Sequence, residues 1–318
     1  MRVLVTGSSG WLGRFLVPML RSAGHVVRGL DVSPGPCTDV VASVADRGAV
    51  EAVIRQHAIT AVVHAAALHK PDIARFPGRA FIDTNITGTL NLLEAAVAAG
   101  VDRFVFTSTT SLMISQAIRD ESADHAVWLD ETTAPLEPRN IYGATKLAAE
   151  QLVRLHARDH GLGAIILRTS RFFPEEDDTL RGLSGENLKA NEFLNRRATV
   201  EDMARAHLAA LDRAPQTGFA TYLVSAATPF VRDDAAELKR NAPDVIARLF
   251  PEAPELYRQR GWSLPRSIGR VYDSGLIERE LGFRCRTGFA EVLAALRTGS
   301  ALPFVHDPAF VSPVTLAG

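Results

Sequence analysis

The 318-residue chain carries 35 Lys and Arg against 36 Asp and Glu, a formal charge of −1. That balance argues against a nucleic-acid partner, which shows as a basic excess. Hydrophobic residues make up 47% and charged residues 22%, the mix of a globular protein, and the length allows one large α/β domain with a smaller lobe. Two cysteines, Cys37 and Cys285, with no CxxC pair or Cys/His cluster argue against a disulfide framework or a metal site and fit a reducing, cytoplasmic compartment. The N-terminus, MRVLVTGSSG, enters a strand at once and predicts no signal peptide. No run approaches the roughly 18 apolar residues of a membrane span, so no membrane partner is expected.

Strands are predicted at Arg2–Thr6, Val26–Leu30, Ala61–Ala66, Arg103–Thr107, Ala164–Arg168 and Thr221–Val224. Between them, apolar residues recur at helical spacing from Trp11 to Leu20, near Val50–His57, over Asn85–Ala99, over Tyr142–His160 and over Val200–Arg213. Alternation of strand and helix with strands apolar on both faces predicts a doubly wound parallel sheet. After about residue 170 the rhythm loosens. Residues 172–195 are rich in Pro, Gly and charge, and Pro229, Pro243, Pro251, Pro254 and Pro265 interrupt the C-terminal third of the chain. The expected division is a dinucleotide-binding Rossmann domain over 1–170, rejoined by 198–225, with a C-terminal substrate-binding lobe from 171–197 and 226–318.

Gly7, Gly10 and Gly13 fall between the first strand and the first helix, the context that gives a glycine pattern meaning. Gly7 suits the tight turn, Gly10 a close approach to a pyrophosphate, and Gly13 close helix packing. The helix N-terminus adds free N–H groups for phosphate. Asp31 follows the second strand 24 residues after Gly7, where an acid bonds the adenosine ribose and repels a 2′-phosphate, so NAD is expected over NADP. Tyr142 and Lys146 lie one turn apart on a helix face. A cation there predicts a lowered phenol pKa and a tyrosine that exchanges a proton with a substrate hydroxyl. Ser108, Thr109, Thr110 and Ser111 close the fourth main strand, where an open sheet meets its ligand.

Together these parts resemble the extended short-chain dehydrogenase/reductase superfamily, in its NAD-dependent epimerase/dehydratase branch. The resemblance rests on TGSSGWLG (6–13), Asp31, HAAA (64–67), NITGTLNLLEAA (85–96), VFTSTTS (105–111), YGATK (142–146), ATVEDMARAH (198–207) and RELGF (279–283). It implies catalysis by Thr109, Tyr142 and Lys146, with Thr110 the alternative hydroxyl. It implies an NAD site from Gly7, Ser9, Gly10, Trp11, Leu12, Gly13, Asp31, Ser43, Val44, Ala65, Ala66, Ala67, Asn85 and Thr107, together with Tyr142 and Lys146. It also implies a homodimer built on the helices near Asn85–Ala99 and Tyr142–His160.

The chain departs from that pattern in places. Ser43 stands where relatives often carry Asp, Arg171 stands where nucleotide-sugar epimerases usually carry Asn, and the interval from Pro174 to Arg197 is short. These departures count against a nucleotide-sugar substrate. Arg171, Arg197 and Arg270 are candidates for an anionic substrate because a guanidinium matches carboxylate or phosphate oxygens. His69 and Phe172 are further substrate candidates, while His64 reads as a core histidine. The expected function is therefore an NAD-dependent epimerase or dehydrogenase acting by hydride transfer at a secondary alcohol or ketone of a sugar or sugar derivative. A dinucleotide sensor without catalysis and an NADP-type reductase of non-sugar substrates are the alternatives.

Overall fold

Seven of the chain's short apolar runs pair side by side in one direction. The computed structural model describes residues 1–176 and 182–311. In it, β1 (Arg2–Thr6), β2 (Val26–Asp31), β3 (Val40–Val41), β4 (Ala61–His64) and β5 (Arg103–Thr109) belong to one sheet. β6 (Val127–Leu129) lies apart, while β7 (Gly163–Thr169) and β8 (Phe219–Val224) complete the sheet in the order β3-β2-β1-β4-β5-β7-β8, all parallel. Strand alternation sends Val3 and Val5 to one face and Leu4 to the other, and each face has its own apolar core under helices. This is the doubly wound Rossmann architecture. A third apolar core, separate from those two, gathers around Phe193, Leu238, Ile246, Tyr257 and Phe289. The lobe segments expected at 171–197 and 226–318 include residues 177–181 and 312–318, which lie outside the described residues. Among the described residues, no helix is long and apolar enough to cross a membrane.

Several elements differ from the sequence expectation. β4 ends at His64 rather than Ala66, and β5 runs on to Thr109. β6 pairs with β9 (Arg270–Tyr272) in a small parallel sheet that periodicity over three residues could not reveal. The helix expected from Asn85 begins earlier: a wide π turn, Ile82–Thr87, feeds the α-helix Gly88–Ala98. The helix Ala235–Leu249 is kinked at Asn241, two residues before Pro243, which lacks an N–H and crowds the preceding turn.

Two local devices place the functional residues. The 20-residue helix Ile141–His160 starts where the Asn140 side chain accepts a bond from the Gly143 N–H, which puts Tyr142 in its first turn. It stops at Gly161, whose φ of +66° is left-handed. In β2, Gly29 faces the carbonyl of Cys37 so closely that a Cβ would lie 1.8 Å from its oxygen. That close approach folds the segment after β2 back beside Asp31. Gly29→Ala should therefore cost about 1–3 kcal/mol of stability, read as a lower midpoint in urea unfolding. An unchanged midpoint would mean the segment is not held there.

Candidate active site

The carboxyl ends of β1, β2, β4, β5 and β7 open onto one cleft of about 910 Å³. Gly7, Gly10, Trp11, Leu12, Asp31, Ser43, Val44, Ala65, Ala66, Ala67 and Thr107 line one part of it. Thr109, Thr110, Tyr142, Lys146, His69, Arg171, Phe172 and Arg197 line the other. Ser9, Gly13, Asn85 and Arg270 do not line it. Each of these four has a physical reason to lie elsewhere. Ser9 turns its hydroxyl to the Ser33 carbonyl and to Thr38, while its backbone N–H serves Asp31. Gly13 packs under the turn, where a Cβ would lie 2.3 Å from the Gly7 oxygen. Asn85 is buried in the π turn; it bonds both backbone groups of Leu68 and the Thr145 hydroxyl, joining the loop after β4 to the helix of Tyr142. Arg270 lies in β9, held away from the main sheet by its pairing with β6 and by the Asn195 amide that donates to its carbonyl.

The dinucleotide end fits a pyrophosphate and a ribose. Gly7 has φ of +74°, and a Cβ on it would press within 2.8 Å of the Ala66 nitrogen. Gly10 starts the helix Trp11–Ser22 with no side-chain cap, so its first N–H groups are left for an anion. The two Asp31 oxygens accept from the Ser9 and Ser33 N–H groups, which aims the carboxylate; burial raises its pKa and these bonds oppose the rise. Ser43 uses its hydroxyl on the Ala45 N–H, and Asp46 caps the helix Arg47–Gln56 by accepting from Ala49. His64 sits in the core, bonded to Thr6 and Thr89. Thr6 also accepts from Ala66 N–H, so this chain of bonds fixes the alanine wall.

At the other end, Thr109 closes β5 beside the Tyr142 phenol, and its hydroxyl opposes the rise that burial gives the phenol pKa. The Thr109 oxygen accepts from the Ser111 N–H, so its own O–H is left to donate. Thr110 instead donates to the Thr169 carbonyl, which leaves Thr109 as the hydroxyl beside the phenol. Lys146 is buried with its ammonium 3.9 Å from the centre of the Phe106 ring. The expected fall in the phenol pKa is overturned: burial pushes Tyr142 up to about 12 and Lys146 down to about 7, with nearby Asp72 adding to the rise. Desolvation penalises both charged forms, and it is the largest cause of each shift. Thr107 is fixed from below by His207 at 2.8 Å, and burial holds that imidazole down to about 4, so it is neutral.

The substrate end has a built aromatic edge. His69 stacks on Phe173 with centres 5.0 Å apart, and Phe173 stacks on Phe172 at 4.3 Å. The Trp11 indole N–H donates to the Phe172 carbonyl, tying this stack to the glycine loop. Arg171, Arg196 and Arg197 converge on the buried Glu192. Arg197 also donates to the Phe173 carbonyl, so it shapes the wall as well as facing the cleft. Residues that sequence reasoning did not single out include Phe310, which lines the cleft and packs on Trp11, and Glu150, one turn beyond Lys146. The i+4 spacing was a signal for Glu150; Phe310 had none, because only the folded tail brings it back. Among the described residues, no group of three or more His, Cys, Asp or Glu side chains could hold a metal ion.

A glycine turn at an open helix end, an aimed acid after the second strand and a Thr/Tyr/Lys group in one cleft define a dinucleotide-dependent enzyme of the short-chain dehydrogenase/reductase type. The chain belongs to the NAD dependent epimerase/dehydratase family, whose profile it matches over residues 3–188. Its similar relatives include UDP-glucose 4-epimerase of Azospirillum brasilense, 35% identical over 176 residues, 52% of this chain and 48% of that protein. L-arabinose 1-dehydrogenase (NAD(P)(+)) of Haloferax volcanii is 33% identical over 171 residues, 52% of this chain and 65% of that protein. The matches thus span about half and under two thirds of those relatives. A short-chain dehydrogenase/reductase superfamily protein from Agrobacterium tumefaciens, solved with bound NAD, superposes with a TM-score of 0.67 at 26% identity, covering 94% of this chain and 96% of that one. NAD is the cofactor of this family, and the glycine turn and Asp31 fit it.

Asp31→Ala should reduce the preference for NAD over NADP by about tenfold or more, corresponding to about 1.4 kcal/mol, in paired binding titrations. An unchanged preference would remove Asp31 from the ribose.

Proposed function

We propose that the protein is an NAD-dependent oxidoreductase-type enzyme, an epimerase or dehydrogenase, acting at a secondary alcohol or ketone of a sugar or sugar derivative. The observation that carries this reading is that Thr109, Tyr142 and Lys146, the last one helical turn beyond the tyrosine, line the same cleft as the glycine turn and Asp31. Bound NAD supplies the acceptor and donor of hydride. Asp31 would hold the adenosine ribose, the helix N-terminus at Gly10 the pyrophosphate, and Lys146 the nicotinamide ribose. The relatives named UDP-glucose 4-epimerase and L-arabinose 1-dehydrogenase support a sugar as the substrate class.

The reacting oxygen of the substrate sits between Thr109 and Tyr142. Thr109 donates its O–H to that oxygen, its own oxygen being held by Ser111. Toward alcohol, the neutral Tyr142 phenol gives its proton to the ketone oxygen while carbon gains hydride. Toward ketone, Tyr142 as phenolate takes the hydroxyl proton while carbon loses hydride, and the positive charge of Lys146 lowers the cost of that phenolate. The high phenol pKa makes the first direction the one for which the cleft is already in the right protonation state. In either an epimerase or a dehydrogenase, Thr109 and Tyr142 would hold the reacting oxygen and move its proton in the same way. His69, Arg171 and Phe172 are the proposed substrate contacts.

A homodimer in the cytoplasm completes the reading. The helices expected at its interface carry exposed apolar residues at Leu155 and, in the π turn, Ile82.

Tyr142→Phe should lower turnover by a factor of about 10² or more while NAD affinity stays within a few-fold. Retained turnover would remove Tyr142 from the chemistry. Sugars, uronic acids and nucleotide sugars assayed in parallel for NADH release and for isomer formation should give one of the two products with at least one class. Steady NADH release defines a dehydrogenase, and isomers without release define an epimerase.

A further inference from the structure

The helix that carries Tyr142 and Lys146 presents a third group at the same spacing. Glu150 lies one turn beyond Lys146 and is buried, with 2% of its surface exposed. Its carboxylate is fully committed. Oε1 accepts from the Ser108 hydroxyl at 2.6 Å and from Arg168 Nε at 3.1 Å, and Oε2 accepts from Arg168 Nη2 at 2.8 Å. Ser108 directly precedes Thr109 in β5, and Arg168 directly precedes Thr169 in β7, whose hydroxyl donates to the Ser108 carbonyl. One buried acid therefore joins the helix of the acid–base pair to both strand ends that wall the reacting centre.

The same acid is an electrostatic neighbour of Lys146. The groups facing that ammonium are few. From its own helix comes Glu150; from β4 comes His64, which burial keeps neutral; from β5 comes the Phe106 ring. Arg168 from β7 reaches Glu150, and Asp72 faces Tyr142 from the 3₁₀ turn Lys70–Ala74. Glu150 is thus the negative group acting on Lys146, and Arg168 neutralises part of it.

We propose that Glu150 is a positioning residue for hydride transfer: clamped by Arg168 and Ser108, it keeps Lys146 charged and Thr109 in register. Arg168 sets how much of the Glu150 charge Lys146 experiences. This rests on the reading of Tyr142 and Lys146 as the acid–base pair.

The two charges make opposite predictions. Glu150→Gln preserves the shape of the acid but removes its charge, so Lys146 loses its proton more readily. The high-pH fall of the single-turnover hydride rate should move down by about one pH unit, a tenfold loss of rate just above the native limb. Arg168→Met frees the full Glu150 charge to act on Lys146, so that limb should move up. A role confined to packing would lower stability in both variants without moving the limbs apart. If Glu150→Gln does not fold, the upward shift in Arg168→Met carries the test. Limbs that superpose on the native profile in the folded variants, with Tyr142 still essential, would overturn the role of Glu150 alone. A fully active Tyr142→Phe would instead overturn the underlying reaction.

Discussion

Placing an ammonium inside a protein is costly, because the low-dielectric interior does not replace the water around it. In this chain the cost falls on Lys146, which sits under the cleft on the face of the Phe106 ring. The same desolvation holds the Tyr142 phenol in its neutral form. The two groups therefore rest as a protonated phenol beside a lysine poised near neutrality. Such a pair is sensitive to any further charge brought next to it. That makes the surrounding architecture, which controls what can approach, part of the chemistry.

The architecture does this by anchoring few side chains very firmly. Asn85 fastens the loop after β4 to the helix of Tyr142 through three hydrogen bonds. His64 fastens that loop to β1 through Thr6. Glu192 gathers Arg171, Arg196 and Arg197 and so fixes the segment after β7 against the helix Gly185–Glu192. The wide π turn around Asn85 belongs to this pattern, since such turns often mark functional positions. The tail adds the last contact: Asp307 donates its N–H to the Pro174 carbonyl, and Phe310 packs edge-on against Trp11. The glycine loop, the aromatic stack and the tail thus form one continuous wall.

This construction also bears on the arginines expected to meet an anionic substrate. Arg270 lies outside the cleft, and Arg197 is bonded to Glu192 and to a backbone carbonyl. Arg171 faces the cleft while paired with Glu192. The charges of Arg171 and Arg197 serve the wall first, because a buried guanidinium must be paired to be tolerated.

The sequence by itself determined the strand and helix alternation, hence the parallel sheet, the glycine turn and the position of Asp31 at a strand end. These depend on local periodicity and on spacings that any fold of this class must respect. It also placed Tyr142 and Lys146 on one helix face, since four residues make about one turn. Other features needed the tertiary structure: the choice of Thr109 over Thr110 beside the phenol, the short β6–β9 sheet, the return of Phe310 and the service of Asn85 and Glu192 as anchors. Each depends on contacts between residues distant in the chain, such as Arg171 with Glu192 or Asn85 with Thr145, so no local pattern encodes it. The direction of the Tyr142 pKa belongs here too. Spacing reveals that a cation is near, but only the folded surroundings set how much water both groups lose, and here that loss is the larger effect.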